Sequence, residues 1–545
     1  MPMSRRKFLR NTAVASGALV IGDGLFGASV NPAHAGQHRF DYIIVGAGTA
    51  GCVLANRLTE DGATVALVEA GGPDNSEAIS TPARLFELWG SEFDWAYSTD
   101  SQDGANDQQI YWPRGKVLGG SSSINGMVHK RGSRDDYDTW AALGNPGWDY
   151  DSVLPYFIRS ENYDGMPSPL RGTGGPLQVT SQYDPHPVTA TMVAAAEQAG
   201  YLFNTDNNAE TNEGVSYAQL NIKDGQRHSA AVAYLRPALE RPNLSLFTHA
   251  RALRIWGHGW RGRARGIVYE QEGRRRLLRC RREVILAGGT IASPQLLMLS
   301  GIGDRRQLRR NRVWPVKHLP GVGKNLHDHT AVPVIFEASE PLPPPSDPQL
   351  QTFHGQVYVK SEPSRPAPDT QLLFIHVPGY SPGQIPVTAN GYTITAAGYA
   401  PTSRGELQIT GRSIDDPLSL DPNLLNTDYD IDILVNGIRL ARQIAAQPAL
   451  DYITAREVYP GADVTSDEGL ADYARSTLVS YHHQVGTCKM GVDEMAVVDA
   501  DLRVHGIRGL RVVDASIMPN VTTANTNAPV VMIAEKASDL IRGSY

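Results

Sequence analysis

The chain has 545 residues, 41% apolar and 20% charged, the composition of a soluble globular protein too long for one core and expected to form two domains. A net charge of −7 argues against nucleic acid or an anionic membrane surface as partner. Three cysteines, Cys52, Cys280 and Cys488, do not make a disulfide framework.

The first 35 residues stand apart. Ser4 to Arg10 reads SRRKFLR, followed by a mildly apolar run from Ala13 to Val30 and by small residues at Ala33-His34-Ala35 before Gly36. This pattern predicts a twin-arginine signal peptide over residues 1–35, and hence export of the folded, cofactor-loaded protein to the periplasm or beyond. Asp23 and four glycines interrupt the run, so no permanent membrane span is expected. Removal of the segment would take the net charge from −7 to −10.

Phe40 and Tyr42 to Val45 have strand character and run into GAGTAG, Gly46 to Gly51. A helical run from Cys52 to Leu58 and a second apolar strand from Ala63 to Val68 follow, and the strand ends on Glu69. This order is that of a dinucleotide-binding unit. Gly46 makes the tight turn, Gly48 lets the backbone approach a pyrophosphate, and Gly51 lets the helix pack closely on the strand. The helix start at Thr49 and Ala50 then offers free N–H groups to the phosphates. Glu69, eighteen residues past Gly51 and followed by Ala70, is placed to accept hydrogen bonds from both ribose hydroxyls of an adenosine.

Arg114 precedes a second dense stretch, GKVLGGSSSINGMV, from Gly115 to Val128. Its flexible backbone and many donors suit a segment that wraps a polar ligand; the candidate contacts are Gly115, Val117, Gly119, Gly120, Ser121, Asn125, Gly126, Met127 and Val128. Tryptophan, proline and glycine from Trp140 to Val179 mark a departure from the first domain. Residues 186–200 and Arg227 to Leu239 read as helices, Leu244 to Ile255 as a strand pair, and Arg261 to Arg282 as a hairpin with a charged, solvated outer face. Arg282 to Gly303 repeats the opening logic: a strand from Val284 to Ala287, two glycines, then a helix from Ser293-Pro294 with proline in its first turn. Three glycine turns are thereby expected to meet at one crevice.

LPPPSDP, Leu342 to Pro348, reads as a linker or lid. Alternating runs at Phe353 to Lys360, Gln371 to Val377, Tyr392 to Tyr399 and Glu406 to Thr410 predict an antiparallel sheet with one covered face. Thr427 caps a helix with Ile431, Leu434, Val435 and Ile438 at helical spacing, and Pro448 closes the region.

From Tyr481 the chain reads YHHQVGTCKMG, then VVDADLRVHGIRGLRVVDASIMP and TANTNAPVVMIAEKASDLI. With GAGTAG, Gly115 to Val128 and Gly289 to Gly303, these motifs resemble the glucose-methanol-choline (GMC) family of flavin oxidoreductases, in particular its alcohol and choline dehydrogenase-like branch. The resemblance implies FAD and a fold with an α/β FAD-binding Rossmann-like domain, over residues 36–160, 226–330 and 478–545. A second, α+β substrate domain built on an antiparallel sheet would span residues 161–225 and 331–477. It implies His483 as the catalytic histidine beside the flavin, Asn525 as its partner, and Asn527 and Ala528 near the flavin's pyrimidine edge. Ala252, Asp514 and Ala515 join the expected cofactor contacts. The chemistry agrees: an imidazole takes the hydroxyl proton of an alcohol while its carbon gives hydride to flavin N5, and an amide donates a hydrogen bond to the oxygen. A helix from Ala528 to Ile541, with Pro529 in its first turn, would aim its positive end at the flavin.

Covalent members carry a histidine where this chain has Ile124, which implies non-covalent FAD. His129 stands where many members have an aromatic residue. His327 to His329, HDH, read as hydrogen-bonding core residues rather than metal ligands, and no metal is expected. The activity implied is oxidation of a small primary or secondary alcohol, with electrons passing to a quinone, a cytochrome or oxygen. The rival readings are a lyase like the family's hydroxynitrile lyases and a non-catalytic flavin protein.

Overall fold

The strand that delivers the first glycine turn, Arg39–Val45, lies inside a seven-stranded sheet in a computed structural model that describes residues 39–259, 262–345 and 347–544. The export segment read over residues 1–35 lies outside the described residues. Arg39–Val45 pairs in parallel with Val65–Val68 on one side and with the second half of Arg274–Leu286 on the other. Leu244–Phe247 and Leu510–Val512 add further parallel strands. Ile43, Ile44, Leu67, Val284 and Ile285 are fully buried, because strands covered on both faces have no polar side to present. Gly266–Gln271 and Ala250–Trp256 complete the sheet in antiparallel fashion, and Arg274, Arg275 and Arg276 in the hairpin are exposed.

The segment from Leu244 to Ile255 forms two strands that do not pair with each other. Leu244–Phe247 lies beside Val65–Val68, whereas Ala250–Trp256 pairs with Gly266–Gln271 at the other end of the strand order. Two intervening residues reach only about 10 Å, so the sheet curls until its ends meet, with His249 in the left-handed region at φ 50°.

A second seven-stranded sheet is antiparallel throughout and runs Thr454–Tyr459, Thr330–Ala338, Gly391–Gly398, Thr370–Ile375, Phe353–Val359, Gly214–Tyr217, with Val479–Ser480 against the start of Thr330–Ala338. Alternation divides its faces. Val332, Val334, Leu372, Phe374, Ile394 and Ala396 are fully buried, and the helix Asp428–Ala445 packs on this sheet so closely that a Cβ on Gly437 would lie 2.8 Å from that of Ala396. The intervening residues Pro333, Gln371, Leu373, Ile375 and Thr395 face a cavity. The run from Glu406 to Thr410 does not join this sheet: Gly405–Ile409 pairs with Lys324–Leu326 and Leu418–Asp421. Alternation reports a half-covered strand and does not select its neighbour.

The C-terminal helix, Asn527–Arg542, packs along the first helix, Thr49–Glu60. Arg57 grips the fully buried Glu535, which also accepts hydrogen bonds from Tyr234 at 2.9 Å and pairs with Arg159 at 2.8 Å. All three cysteines are buried and unpaired.

Candidate active site

Backbone contact between glycines brings the three turns together. Gly46 has φ 102°, and a Cβ there would sit 2.5 Å from the Ala287 carbonyl oxygen; a Cβ on Gly120, at φ 53°, would lie 2.7 Å from Gly48 Cα. Gly51 allows the first helix onto its strand, since its Cβ would lie 1.9 Å from the Gly46 carbonyl oxygen. Gly48 is different. A Cβ there would meet no protein atom closer than 3.9 Å, so the space beside it belongs to a cavity of about 830 Å³ that Gly48 lines. The helix beginning at Thr49 has no side-chain cap and no acid in its first turn, which leaves its N–H groups for an anion such as a pyrophosphate.

Glu69 is buried beside this cradle. One carboxylate oxygen accepts the Ala47 N–H and the other the Gly71 N–H, each at 2.8 Å. The carboxylate thus ties the two loops together, and each oxygen keeps a second lone pair for a ribose hydroxyl. Burial raises its pKa, and the N–H groups of Gly71, Ala47 and Ala70 oppose that rise.

Thr49, Ala50, Ala70, Arg114, Gly115, Gly120, Ser121, Asn125, Gly126, Met127 and Val128 line the same cavity. So do Ala252, Asp514, Ala515, Asn527, His483 and Asn525. Gly51, Val117, Gly119 and Ala528 do not. Gly51 and Gly119 (φ 85°) shape the backbone behind the wall, Val117 packs with Ile79 and Leu88, and Ala528 is buried in the C-terminal helix. Asn527 spends its amide oxygen on the Thr49 hydroxyl at 2.9 Å. Its helix, like the first, starts without a side-chain cap.

The helix expected from Ser293-Pro294 begins earlier, at Gly289, which places Pro294 inside it. Proline has no N–H for the carbonyl four residues back, here Thr290. The Thr487 hydroxyl donates to that oxygen at 2.6 Å, while the Thr290 hydroxyl donates to the Gln484 carbonyl at 2.7 Å. The motif that carries the histidines is thereby clipped to the second glycine turn.

His482 adopts φ 65°, and the reversal separates the two histidines. The His482 ring meets Trp89 edge-on at 4.9 Å, and its carbonyl accepts from Arg114 at 2.6 Å. The His483 ring turns to Asn525, whose Nδ2 lies 3.2 Å from His483 Nε2. Asp328 accepts the His483 N–H and the Gln484 side-chain amide, both at 2.7 Å. Behind the ring, His329 Nδ1 lies 2.9 Å from His483 Nδ1. With the amide NH₂ turned to Nε2, that nitrogen carries the lone pair, the ring proton belongs on Nδ1, and His329 Nδ1 accepts its hydrogen bond; the roles of the two histidines are set by this tautomer. Burial, then the charges of His329, His482 and Arg114, hold the His483 pKa well below its ordinary value. The site therefore presents a neutral imidazole whose Nε2 faces the Asn525 amide at the cavity.

His329, Tyr399 and Tyr481 are functional neighbours that sequence reasoning missed. Tyr399 stacks on His329 at 4.2 Å, and Tyr481 meets His483 edge-on at 5.4 Å. The HDH reading holds for His327, whose nitrogens engage the Asn325 carbonyl at 2.6 Å and the Val521 N–H at 2.9 Å. It holds for His329 as well, which is fully buried and hydrogen-bonded, but its partner is the candidate base. The only sequence signal was HDH itself. His129 is buried against Glu161 and Asn221.

A phosphate-ready cradle beside a neutral imidazole defines a dinucleotide-dependent oxidoreductase. The chain belongs to the GMC oxidoreductase family, whose N-terminal and C-terminal models match residues 40–331 and 401–534, and is an FAD-dependent enzyme acting on CH–OH groups. The mitochondrial choline dehydrogenase of Mus musculus is 40% identical over 94% of this chain and 91% of that protein. The oxygen-dependent choline dehydrogenase of Chromohalobacter salexigens is 40% identical over 93% and 95%. Among solved structures, pyridoxine 4-oxidase from Mesorbium loti superposes with a TM-score of 0.88 at 32% identity, covering 92% of this chain and 98% of that one.

Proposed function

We propose that the protein oxidises a primary or secondary alcohol to the corresponding carbonyl compound. FAD, held without a covalent link, supplies the acceptor for the carbon-bound hydrogen and its electron pair. His483 Nε2 takes the hydroxyl proton, and Asn525 Nδ2 donates a hydrogen bond to the same oxygen. The observation that carries this reading is the 3.2 Å approach of Asn525 Nδ2 to His483 Nε2 in the cavity wall, on an imidazole that its surroundings keep neutral. The parallel strands around GAGTAG support a Rossmann-like FAD unit, and the helix-backed antiparallel sheet supports an α+β substrate unit.

General base catalysis contributes about 10²- to 10⁴-fold, and loss of one oxyanion donor costs about 10²- to 10³-fold. His483→Ala should slow anaerobic flavin reduction by alcohol within the first range while FAD stays bound, and Asn525→Ala within the second. His482→Ala is the control for register. Slowing by loss of His482 but not of His483 would place the base one residue earlier.

Export by the twin-arginine route rests on SRRKFLR, and Lys at both Arg5 and Arg6 should hold the full-length precursor in the cytoplasm. Onward transfer of electrons to a quinone, cytochrome or oxygen belongs to the same proposal; the relatives' names include both oxidases and dehydrogenases.

A further inference from the structure

We propose that the alcohol this enzyme takes is uncharged with an apolar body, and that quaternary ammonium alcohols such as choline are rejected. This rests on the alcohol-oxidising reading above and goes against the names of the two relatives.

A bound cation needs a counter-charge or a set of free acceptors, because an uncompensated charge taken out of water is costly. Among the described residues, two carboxylates line the cavity, Glu69 and Asp514, and both are committed elsewhere. Glu69 holds the Ala47 and Gly71 N–H groups at the glycine cradle. Asp514 accepts from the Gly289 N–H at 2.9 Å, the Ser293 hydroxyl at 2.6 Å and the Ser516 N–H at 2.9 Å. Asp328 lies behind the His483 backbone, is fully buried, and does not reach the cavity wall. The charges that line the cavity beside these are positive: Arg251 is paired with Asp415, and half-buried Arg114 donates to the Pro113 and His482 carbonyls and makes no direct salt bridge among the described residues, the carboxylates of Asp328 and Asp94 acting on it only through space. Such a field favours a developing alkoxide and opposes an ammonium group.

The face that the antiparallel sheet turns to the cavity is largely apolar for a structural reason. Val479–Ser480 pairs with Thr330 and Ala331, and two residues further along the same strand face Pro333 stands in register with Thr395 and then Leu373. Ile375, two residues beyond Leu373, pairs with Phe353. Gln371 and Thr395 are the polar members of this face; the Gln371 NH₂ is spent on the Tyr358 hydroxyl at 2.8 Å and Gln356 Oε1 at 2.9 Å, while its own Oε1 is a neutral acceptor without a partner among the described residues. The sheet therefore offers mainly methylene and ring surface, with the neutral Gln371 oxygen and the Thr395 hydroxyl as its polar points and no carboxylate to balance a cation.

Choline and 3,3-dimethylbutan-1-ol have the same shape and differ in one atom, N⁺ against C, so they isolate charge from size. With the FAD-loaded full chain, anaerobic flavin reduction should favour the neutral alcohol by at least ~10²-fold in kcat/KM, as expected for a cation facing like charge without a partner. Thermal unfolding of the same protein gives a second readout: the neutral alcohol should raise Tm, and choline at equal concentration should not. Equal or better turnover of choline, or a Tm rise with choline, would overturn the proposal and show that rings such as Trp89 and Tyr481 suffice to hold the cation. Failure of both compounds, and of benzyl alcohol and ethanol, to bleach the flavin would instead overturn the alcohol-oxidising reading on which the substrate class depends.

Discussion

His329 and His483 face each other through their Nδ1 atoms at 2.9 Å. One hydrogen lies between them, and an Asn525 NH₂ turned to the far nitrogen of His483 places it on His483. His329 is thus a positioning residue that fixes the tautomer of the proton acceptor. His329→Leu removes the acceptor, so the lone pair at Nε2 is no longer enforced. Flavin reduction by alcohol should slow at least ~10-fold with FAD content unchanged, since a wrong tautomer disables an otherwise intact imidazole base. An unchanged rate in stopped-flow measurements would remove this role.

The pH profile tests the state of the same ring. Burial, followed by the neighbouring His329, His482 and Arg114, holds the His483 pKa well below 6.5. A base loses activity as pH falls through its pKa, so kcat/KM for an alcohol should show no acid limb from His483 between pH 6.5 and 8 and should fall only in a lower range. A limb near pH 7 that disappears in His483→Ala would contradict the burial argument.

Acid stability should report a second histidine group. His186 stacks on His376 at 3.9 Å with His354 at 5.4 Å, all three buried. Burial, then the neighbouring imidazoles, pushes His376 down to about 3, and burial pushes His354 to about 4. An unfolded histidine titrates near ~6.5. Depressed folded values mean that the unfolded chain binds protons first, so stability is fully present above ~6.5 and declines as pH falls toward 4. His376→Phe keeps a ring against His186 and removes one titrating group. Its Tm should fall less than that of the parent between pH 6.5 and 4; an identical decline would show that other groups govern acid unfolding.

Cofactor attachment has a direct test. Ile124 is buried among Ile79, Leu88 and Val117 and offers no nucleophile to a flavin. Acid precipitation of the FAD-loaded protein should release all its yellow colour, and colour retained in the pellet would show a covalent bond.

The glycine cradle was legible because its causes are local. The left-handed φ of Gly46 and the contact at Gly51 follow from strand, turn and helix in immediate succession. The choice of His483 as the candidate base came only from the family motif, since nothing in an HH pair says which ring turns toward Asn525. That choice is made by the left-handed backbone at His482. His329 was not legible, because its partner lies 154 residues away and its buried, polar neighbourhood looks like that of any core histidine. Pairings failed for a similar reason. Leu244–Phe247 and Ala250–Trp256 each read as strands, but their true neighbours are set by how far the sheet curls, which no local period encodes.

Thr49 donates to Asn527 across 478 residues, and in the same pair of helices Arg57 grips Glu535. The helix Thr49–Glu60 therefore finds these partners only once residues 527–535 have been made. A nascent chain halted before residue 525 holds an unfinished cradle, lacking both Asn525 and the helix start at Asn527. Loss of the chain from Asn525 onward would take away this candidate amide, the Thr49 partner Asn527 and the Arg57 partner Glu535 together, so the segment closes the cradle as well as the helix pair.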